Sequence, residues 1–456
     1  MSFCNGCLEK QQKIDQLLEE NQRLKSQLRY RQRKQTDGFF GSSTPSAKKP
    51  VKANSEAEQQ AKAGGAQNGH PGHGRKSIDP AHAARTIEVP LEQRCPQCGG
   101  PLKDKGWRQR SVLEIPPPHP EPILYRLQKG FCPSCRRAVQ AQAPAVLPKA
   151  LFGNQLTARV LAMHYLHGIP LGRICDQLTL EIGSLIEMLH RMARLFKAVL
   201  PPLVQQYRHA PVRHADETGW RTDGKNGYAW LYCTPMLSLF LFRSTRSASV
   251  PKEVLGEKPL AGVLVVDRYN GYNRVPCKLQ YCYAHLLREV EDLEKEFPDD
   301  KEIAAFTAAL IPSLSSAMHL RSQELSDSHY YEQAKKLQQQ IVSACQKPAQ
   351  HLAIRRIQDI FCDHSERLYH WVYDRRVPAD NNRCERELRP TVIARKVSFG
   401  SQSEEGAKTR EILMSVLHTV KKRHPQAEQH LKNVLDQLAT NPKQDPFPLL
   451  FPNNTS

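Results

Sequence analysis

The spacing of apolar and polar positions changes several times along this chain, and each change predicts a new kind of element. Ile14, Leu17, Asn21, Leu24 and Leu28 fall at a/d spacing within a stretch, Cys7 to Gln35, that contains no Gly or Pro. A 3.5-residue repeat predicts a parallel two-stranded coiled coil over 1–36, with Asn21 at an a position fixing its register. A single solvated amphipathic helix is the plainer alternative, because three heptads are marginal alone. The periodicity then disappears, and Gly, Ser, Ala, Lys and Pro dominate 37–85, which predicts a basic flexible linker. A helical period returns over 150–200. There Leu171–Leu178 and 184–196 flank a break at Glu181 to Gly183. This is either a helix-turn-helix, whose second helix carries His190, Arg191 and Arg194 toward DNA, or a plain packing pair.

After Pro201-Pro202 the pattern becomes that of strands, predicted over Val212 to Thr218, Gly227 to Cys233 and Leu237 to Phe242. A short helix over Ala248 to Leu255 follows. Gly262 to Asp267 is continuously apolar up to its final acid, the signature of a strand covered on both faces. Lys278 to Cys282 is a fifth strand, giving the order β-β-β-α-β-α-β-α. Residues 286–377 are mostly helical and read as an insertion within a domain spanning 205–425. A C-terminal helix and tail occupy 426–456. The expected fold class is therefore multidomain α+β.

Composition narrows the function. The 65 Lys and Arg exceed the 46 Asp and Glu by 19, and a field of that sign favours polyanions, above all nucleic acid. No apolar run reaches the ~18 residues of a membrane span. Met1 to Lys10 also lacks the basic-then-apolar order of a signal peptide. The expectation is a cytoplasmic, nucleoid-associated protein with no membrane partner. Thirteen cysteines are too many and too scattered for a stapled secreted domain, which suggests reduced thiols and bound metal. Cys95-Pro-Gln-Cys98 and Cys132-Pro-Ser-Cys135 form two C-x2-C knuckles able to complete a tetrahedral structural zinc site, predicting a zinc ribbon over 86–145. Cys4 and Cys7 make a third knuckle without a matching pair in reach, and frayed free thiols are expected there.

The candidate chemistry lies in the strands. Asp216 sits inside the first strand and Asp267 at the end of the fourth, which is the layout of a ribonuclease-H-like α/β domain in which neighbouring strands bring two carboxylates to one divalent-metal site. His214 and Thr218 share the face of Asp216, whereas Glu217 points the other way, so only one of the adjacent acids can join Asp267. A third acid is expected from Asp380-Asn-Asn-Arg-Cys-Glu385-Arg-Glu387. Glu385 and Glu387 lie about 200° apart around a helix, so only one of them can face the metal. Lys396, Lys408, Arg410, Lys421, Lys422 and Arg423 follow, either as a DNA path or as a solvated basic face. Trp220 and Trp371 are core residues by default, with base stacking as the alternative.

His214-Ala-Asp216-Glu-Thr-Gly-Trp220, Val266-Asp267-Arg-Tyr-Asn-Gly-Tyr272, Cys282-Tyr-Ala-His285, Asp380 to Pro390 and Ser403-Glu-Glu-Gly-Ala-Lys-Thr-Arg410 together resemble transposases of the insertion sequence 66 family. The likeness extends over nearly the whole chain, to the closing Asp445-Pro-Phe-Pro-Leu-Leu-Phe-Pro452. It departs at Arg395-Lys-Val-Ser-Phe-Gly400, where relatives usually continue the basic pair with Asn and an aromatic. The resemblance implies a D-D-E triad of Asp216, Asp267 and Glu385 holding two Mg2+ or Mn2+ ions. It also implies a supporting or DNA-contacting role for Cys282 and His285, for which a packed pair or zinc ligation are alternatives. The implied activity is cleavage of the ends of the encoding element and joining of the 3′-hydroxyl to target DNA. Double-stranded DNA, a second copy through the coiled coil and accessory proteins of the element are the implied partners. The competing classes are a zinc-ribbon repressor whose nuclease fold has died and a structure-selective nuclease.

Overall fold

The structure, a computed structural model, describes residues 5–36, 120–133 and 136–452. Cys95, Cys98 and Cys135 lie outside the described residues, as does the 37–85 linker. Cys132 is described only through its backbone, in a small antiparallel hairpin of β1 (Lys129–Cys132) and β2 (Arg137–Gln140).

A five-stranded mixed sheet organises the rest, in the order β5-β4-β3-β6-β7. β3 (Val212–Thr222), β4 (Lys225–Cys233) and β5 (Ser238–Arg243) form an antiparallel meander. β6 (Val263–Val266) and β7 (Lys278–Tyr281) run parallel to β3 on its other side. The β3–β4 turn is Asp223-Gly224, both with positive φ, the two-residue geometry whose twist matches that of its strands. Gly262 sets β6 against β3. Its φ is +83° and a Cβ there would stand 2.3 Å from the Pro211 carbonyl oxygen, so only glycine lets the Val263 N–H donate to that oxygen. The expected helix between the fourth and fifth strands is a single 3-10 turn, Asn270–Tyr272. Only 11 residues separate Val266 from Lys278, too few for a strand-length helix and its two loops.

The helix Asn382–Ser398 lies along β3 and β4, and Glu404–Arg423 lies along β5. On the edge strand β5, the N–H groups of Ser238, Phe240 and Phe242 donate to Thr419 Oγ1 (3.1 Å), Ser415 Oγ (2.8 Å) and Glu411 Oε2 (3.1 Å). Side chains of one helix thus satisfy the donors that an edge strand leaves unpaired.

The 150–200 helices are not a separate body. Ile182–Phe196 buries Leu185, Met188, Leu189, Met192 and Phe196 in the same core as the sheet and packs on Glu404–Arg423. Asn154–Leu161 packs on Ala427–Thr440, where Asn154 Nδ2 donates to Asp436 (2.9 Å) and Arg159 pairs with Glu428 (3.0 Å). Leu171–Leu178 and Ile182–Phe196 pack on one another, joined through Thr179 in the left-handed conformation.

Between Cys282 and Ala379 the chain is helical, as expected. Lys301–Leu320 is long and apolar enough to cross a membrane by length and composition, a feature the sequence reading missed. Ile303, Phe306, Leu310, Leu314 and Leu320 are buried, and the helix packs between Tyr283–Glu296 and Asp327–Gln346. The N-terminal helix Asn5–Thr36 docks here too. Tyr30 meets the Phe297 ring at 5.6 Å, Gln27 accepts from the Leu352 N–H, and Arg23 pairs with Asp300 at 3.2 Å. Ile14, Leu17, Leu24 and Leu28, the predicted seam, are about half exposed.

Candidate active site

Pairing of β3 with β6 is in register from Val212↔Val263 to His214↔Val265. Two residues further along stand Asp216 within β3 and Asp267 just past the end of β6, so adjacent strands bring the two carboxylates close enough to interact. This site is covered by the start of Asn382–Ser398. His214 Nδ1 lies 2.9 Å from Asn381 Oδ1, and Asn381 Nδ2 donates to the Ala215 carbonyl at 2.8 Å. Nearly four turns further on, Arg395 donates to Thr218 Oγ1 at 3.0 Å. The helix is thereby phased along β3, and Glu385 is delivered beside the two aspartates.

Glu385 and Glu387 part as helical geometry requires. Glu387 turns to β5, pairing with Lys422 at 2.7 Å and accepting from Ser238 Oγ at 3.0 Å. Glu385 turns to the insertion, 3.6 Å from Arg288 and 3.9 Å from His285 Nδ1. Cys282, His285 and Glu385 place their ligand atoms within 4.8 Å of one another. The Cys282 Sγ accepts from the Asn381 N–H at 3.1 Å, tying this pair to the same helix start.

The electrostatics identify where positive charge is wanted. Burial pushes the Asp216 carboxyl well above the usual range, and the neighbouring charges of Glu217, Asp267 and Glu385 push it the same way. Glu385 is raised by burial against the opposing pull of Arg288. Its buried Oε1 makes no hydrogen bond among the described residues. Asp267 keeps one oxygen on the Tyr269 N–H at 2.9 Å. Three hard carboxylates crowded together, one with a buried oxygen that makes no hydrogen bond among the described residues, fit Mg2+ or Mn2+. The Cys282, His285 and Glu385 set is softer and would suit zinc.

Glu217 faces the opposite way and is already neutralised. Arg246 Nε donates to its Oε1 at 2.8 Å and Tyr272 Oη to its Oε2 at 2.7 Å. Burial still lifts its pKa to about 7. Arg246 stacks on the Tyr269 ring at 3.8 Å and comes within 4.0 Å of Asp267. Nothing in the sequence reading pointed to Arg246. The motif from Asp267 to Tyr272 did contain Tyr269 and Tyr272, without their roles.

The expected DNA-contacting residues fare unevenly. Lys396 and Lys408 are exposed, and Arg194 is exposed but paired with Glu187 at 2.6 Å. Arg191 donates to the Lys149 carbonyl at 2.7 Å and also to that of Pro148, pinning the turn before the helices rather than presenting itself to a groove. His190 contacts Thr409 at 2.7 Å. Arg410 is a correction: it is buried, stacked between the Tyr165 and Trp220 rings (5.4 and 5.1 Å) and 3.1 Å from His164 Nε2. Trp220 and Trp371 are buried core residues.

Residues 149–409, more than half of the chain, match the family described as Transposase IS66 family. Curated relatives include three uncharacterized proteins of Sinorhizobium fredii. Protein y4qI is 26% identical over 396 residues, covering 75% of this chain and 70% of its own length. Protein y4jD is 23% identical over 75% of this chain and 74% of its own length. Protein y4hP is 23% identical over 80% of this chain and 73% of its own length. The family's span takes in every acid of the cluster together with the helices that position them, and the chain belongs to the IS66 family of transposases.

Proposed function

We propose that this chain is a D-D-E transposase with a ribonuclease-H-like catalytic domain, in which Asp216, Asp267 and Glu385 hold the catalytic divalent ions. The observation that carries the assignment is the buried Asp216 carboxyl, crowded by Glu217, Asp267 and Glu385, of which Glu217 alone is hydrogen-bonded to Arg246. Bound Mg2+ or Mn2+, two per site, would supply a lowered pKa for the attacking water or 3′-hydroxyl and stabilise the leaving oxygen of an in-line displacement. The protein's own residues do the positioning. Asn381 locks the helix start to β3, and Cys282 and His285 back Glu385. Arg246 holds Glu217 out of the cluster.

The remaining parts of the reading extend from the sequence. Cys95, Cys98, Cys132 and Cys135 hold a structural zinc that folds an end-binding ribbon; the basic segments bind DNA; the N-terminal seam forms a homodimer; and the protein works in the cytoplasm. The central test is cleavage of a labelled element end in magnesium. Asp216→Asn, Asp267→Asn and Glu385→Gln should each lower nicking and strand transfer at least about 10²-fold while retaining end binding. Glu217→Gln and Glu387→Gln should stay within about tenfold of wild type, assayed below their melting temperatures. Activity surviving Glu385→Gln but lost in Glu387→Gln would overturn the site.

A further inference from the structure

Beside the acids, on the same face of the sheet, lies a cavity of about 1100 Å3. Its walls are the start of β3, the β4–β5 turn, the first turn of Asn382–Ser398 and the insertion helices around 318–331 and 374–378. Its charged lining is dominated by Arg321, Arg375, Arg376, Arg383, Arg386 and Arg423. Half of these are committed. Arg375 pairs with Asp327 at 2.9 Å and Arg376 with Asp374 at 2.8 Å. Arg423 donates to the Met236 carbonyl at 2.9 Å and to Gln206 at 2.7 Å. The remaining acid of the lining, Asp380, accepts from the Asn382 N–H at 2.9 Å just ahead of that helix.

Arg321, Arg383 and Arg386 have no ion pair or side-chain hydrogen bond among the described residues. They come from two separate walls, Arg321 from the insertion and the other two from the helix that carries Glu385. Arg383 and Arg386 are three positions apart and so neighbours on one helix face. Arg321 and Arg383 share the lining of this one cavity with His214. His214 is two residues from Asp216 on one strand face, a separation of about 7 Å, or roughly two nucleotides of rise along one DNA strand. Three unpaired guanidinium forks facing each other across a cleft match phosphate oxygens, which they can bind in bidentate fashion.

We propose that this cleft holds the phosphodiester backbone of the DNA strand leading to the acid cluster, with Arg321, Arg383 and Arg386 each neutralising a phosphate. The proposal rests on the transposase reading above and adds to it the path of the strand and a function for the insertion, which supplies one wall.

The test uses the full-length protein and a labelled duplex carrying the element end, with binding measured from about 50 to 200 mM salt. Arg321→Gln, Arg383→Gln and Arg386→Gln should each lower the slope of log affinity against log salt by about 0.9, and the triple variant by nearly 3. Weakening should be similar for specific and unrelated duplexes, since phosphate contacts carry no sequence choice. Arg→Lys at the same positions should restore most of the slope. If wild type shows the salt slope and nicks the end while the triple variant keeps an unchanged slope, the cleft is not the strand path and the transposase reading stands. If wild type neither binds nor nicks, both fail together.

Discussion

Two adjacent carboxylates on β3 meet opposite fates. Glu217 is matched by Arg246 and Tyr272, whereas Asp216 is left among like charges. Both have folded-state pKa values raised by burial, so folding favours their protonated forms. In the absence of a divalent cation, the stability tied to them is present near pH 4. It is lost as pH rises through the folded values, which reach about 7 for Glu217. Asp216→Asn removes one repelling charge. In chelator at pH 8 it should melt several degrees above wild type, a gain of about 1–2 kcal/mol, and should forfeit the stabilisation that magnesium gives wild type. In Glu217→Gln the loss of the buried Arg246's counter-charge, about 3 kcal/mol, opposes the relief of a carboxylate whose folded pKa is raised, so this variant should gain less than Asp216→Asn. Calorimetry at pH 8 with and without magnesium checks both, and an Asp216→Asn melt below wild type in chelator would contradict this account. Strand alternation makes the division between Asp216 and Glu217 legible in the sequence. Arg246 is not legible, because 29 positions of turn and strand separate it from Glu217 and no periodicity joins them. Arg410 misleads for a different reason. Among Lys408, Lys421 and Lys422 it reads as one more solvated cation, and only the fold reveals Tyr165 and Trp220 on either side.

At the scale of elements, Glu404–Arg423 shows two periods brought into step. Glu411, Ser415 and Thr419 recur every four residues, about 6.0 Å along a helix, and meet Phe242, Phe240 and Ser238, which recur every two, about 6.7 Å along a strand. In the sequence these polar positions look like a solvated stripe, and nothing in their spacing announces that they bond to an edge strand. The strands themselves were legible because each carries alternating or unbroken apolar runs. The same helix holds the 154–166 segment through neutral histidines. His418 Nε2 lies 3.1 Å from the Tyr165 carbonyl, and His164, whose Nδ1 lies 2.8 Å from the Ile169 carbonyl, meets Arg410 of the helix through its Nε2 at 3.1 Å. Burial lowers His418 to about 4 and His164 to about 3, the latter helped by Arg410. Folded-state values below the ordinary 6.5 mean that this contact is fully stabilising above about pH 6.5. It weakens as pH falls from there through 4 and then 3. Between pH 7.5 and 5 the urea midpoint of wild type should therefore fall relative to that of His418→Gln, which can still donate to Tyr165. An identical pH dependence in that variant would rule the histidine out.

Across the whole molecule, the N-terminal helix is fixed at one end and open at the other. Gln27 and Tyr30 are buried against the insertion, while Ile14, Leu17, Leu24 and Leu28 keep about half their surface exposed. A heptad seam left open on an anchored helix is what a second copy would cover. Sedimentation of the full chain should give a dimer, and Leu17→Lys with Leu24→Lys should give a monomer whose far-ultraviolet spectrum is little changed. A wild-type monomer at micromolar concentration would remove the coil from the proposal. The third acid brings a different kind of consequence, one of timing. Glu385 follows Asp267 by 118 positions, and the intervening chain must fold as helices before the cluster can close. At about 5–20 residues per second, synthesis needs roughly 6–24 s to cross that interval. Glu404–Arg423, which covers β5, is made later still. On the proposed D-D-E reading, a growing chain still on the ribosome has its first two acids long before the third arrives, and a product that stops before Glu385 lacks the complete cluster.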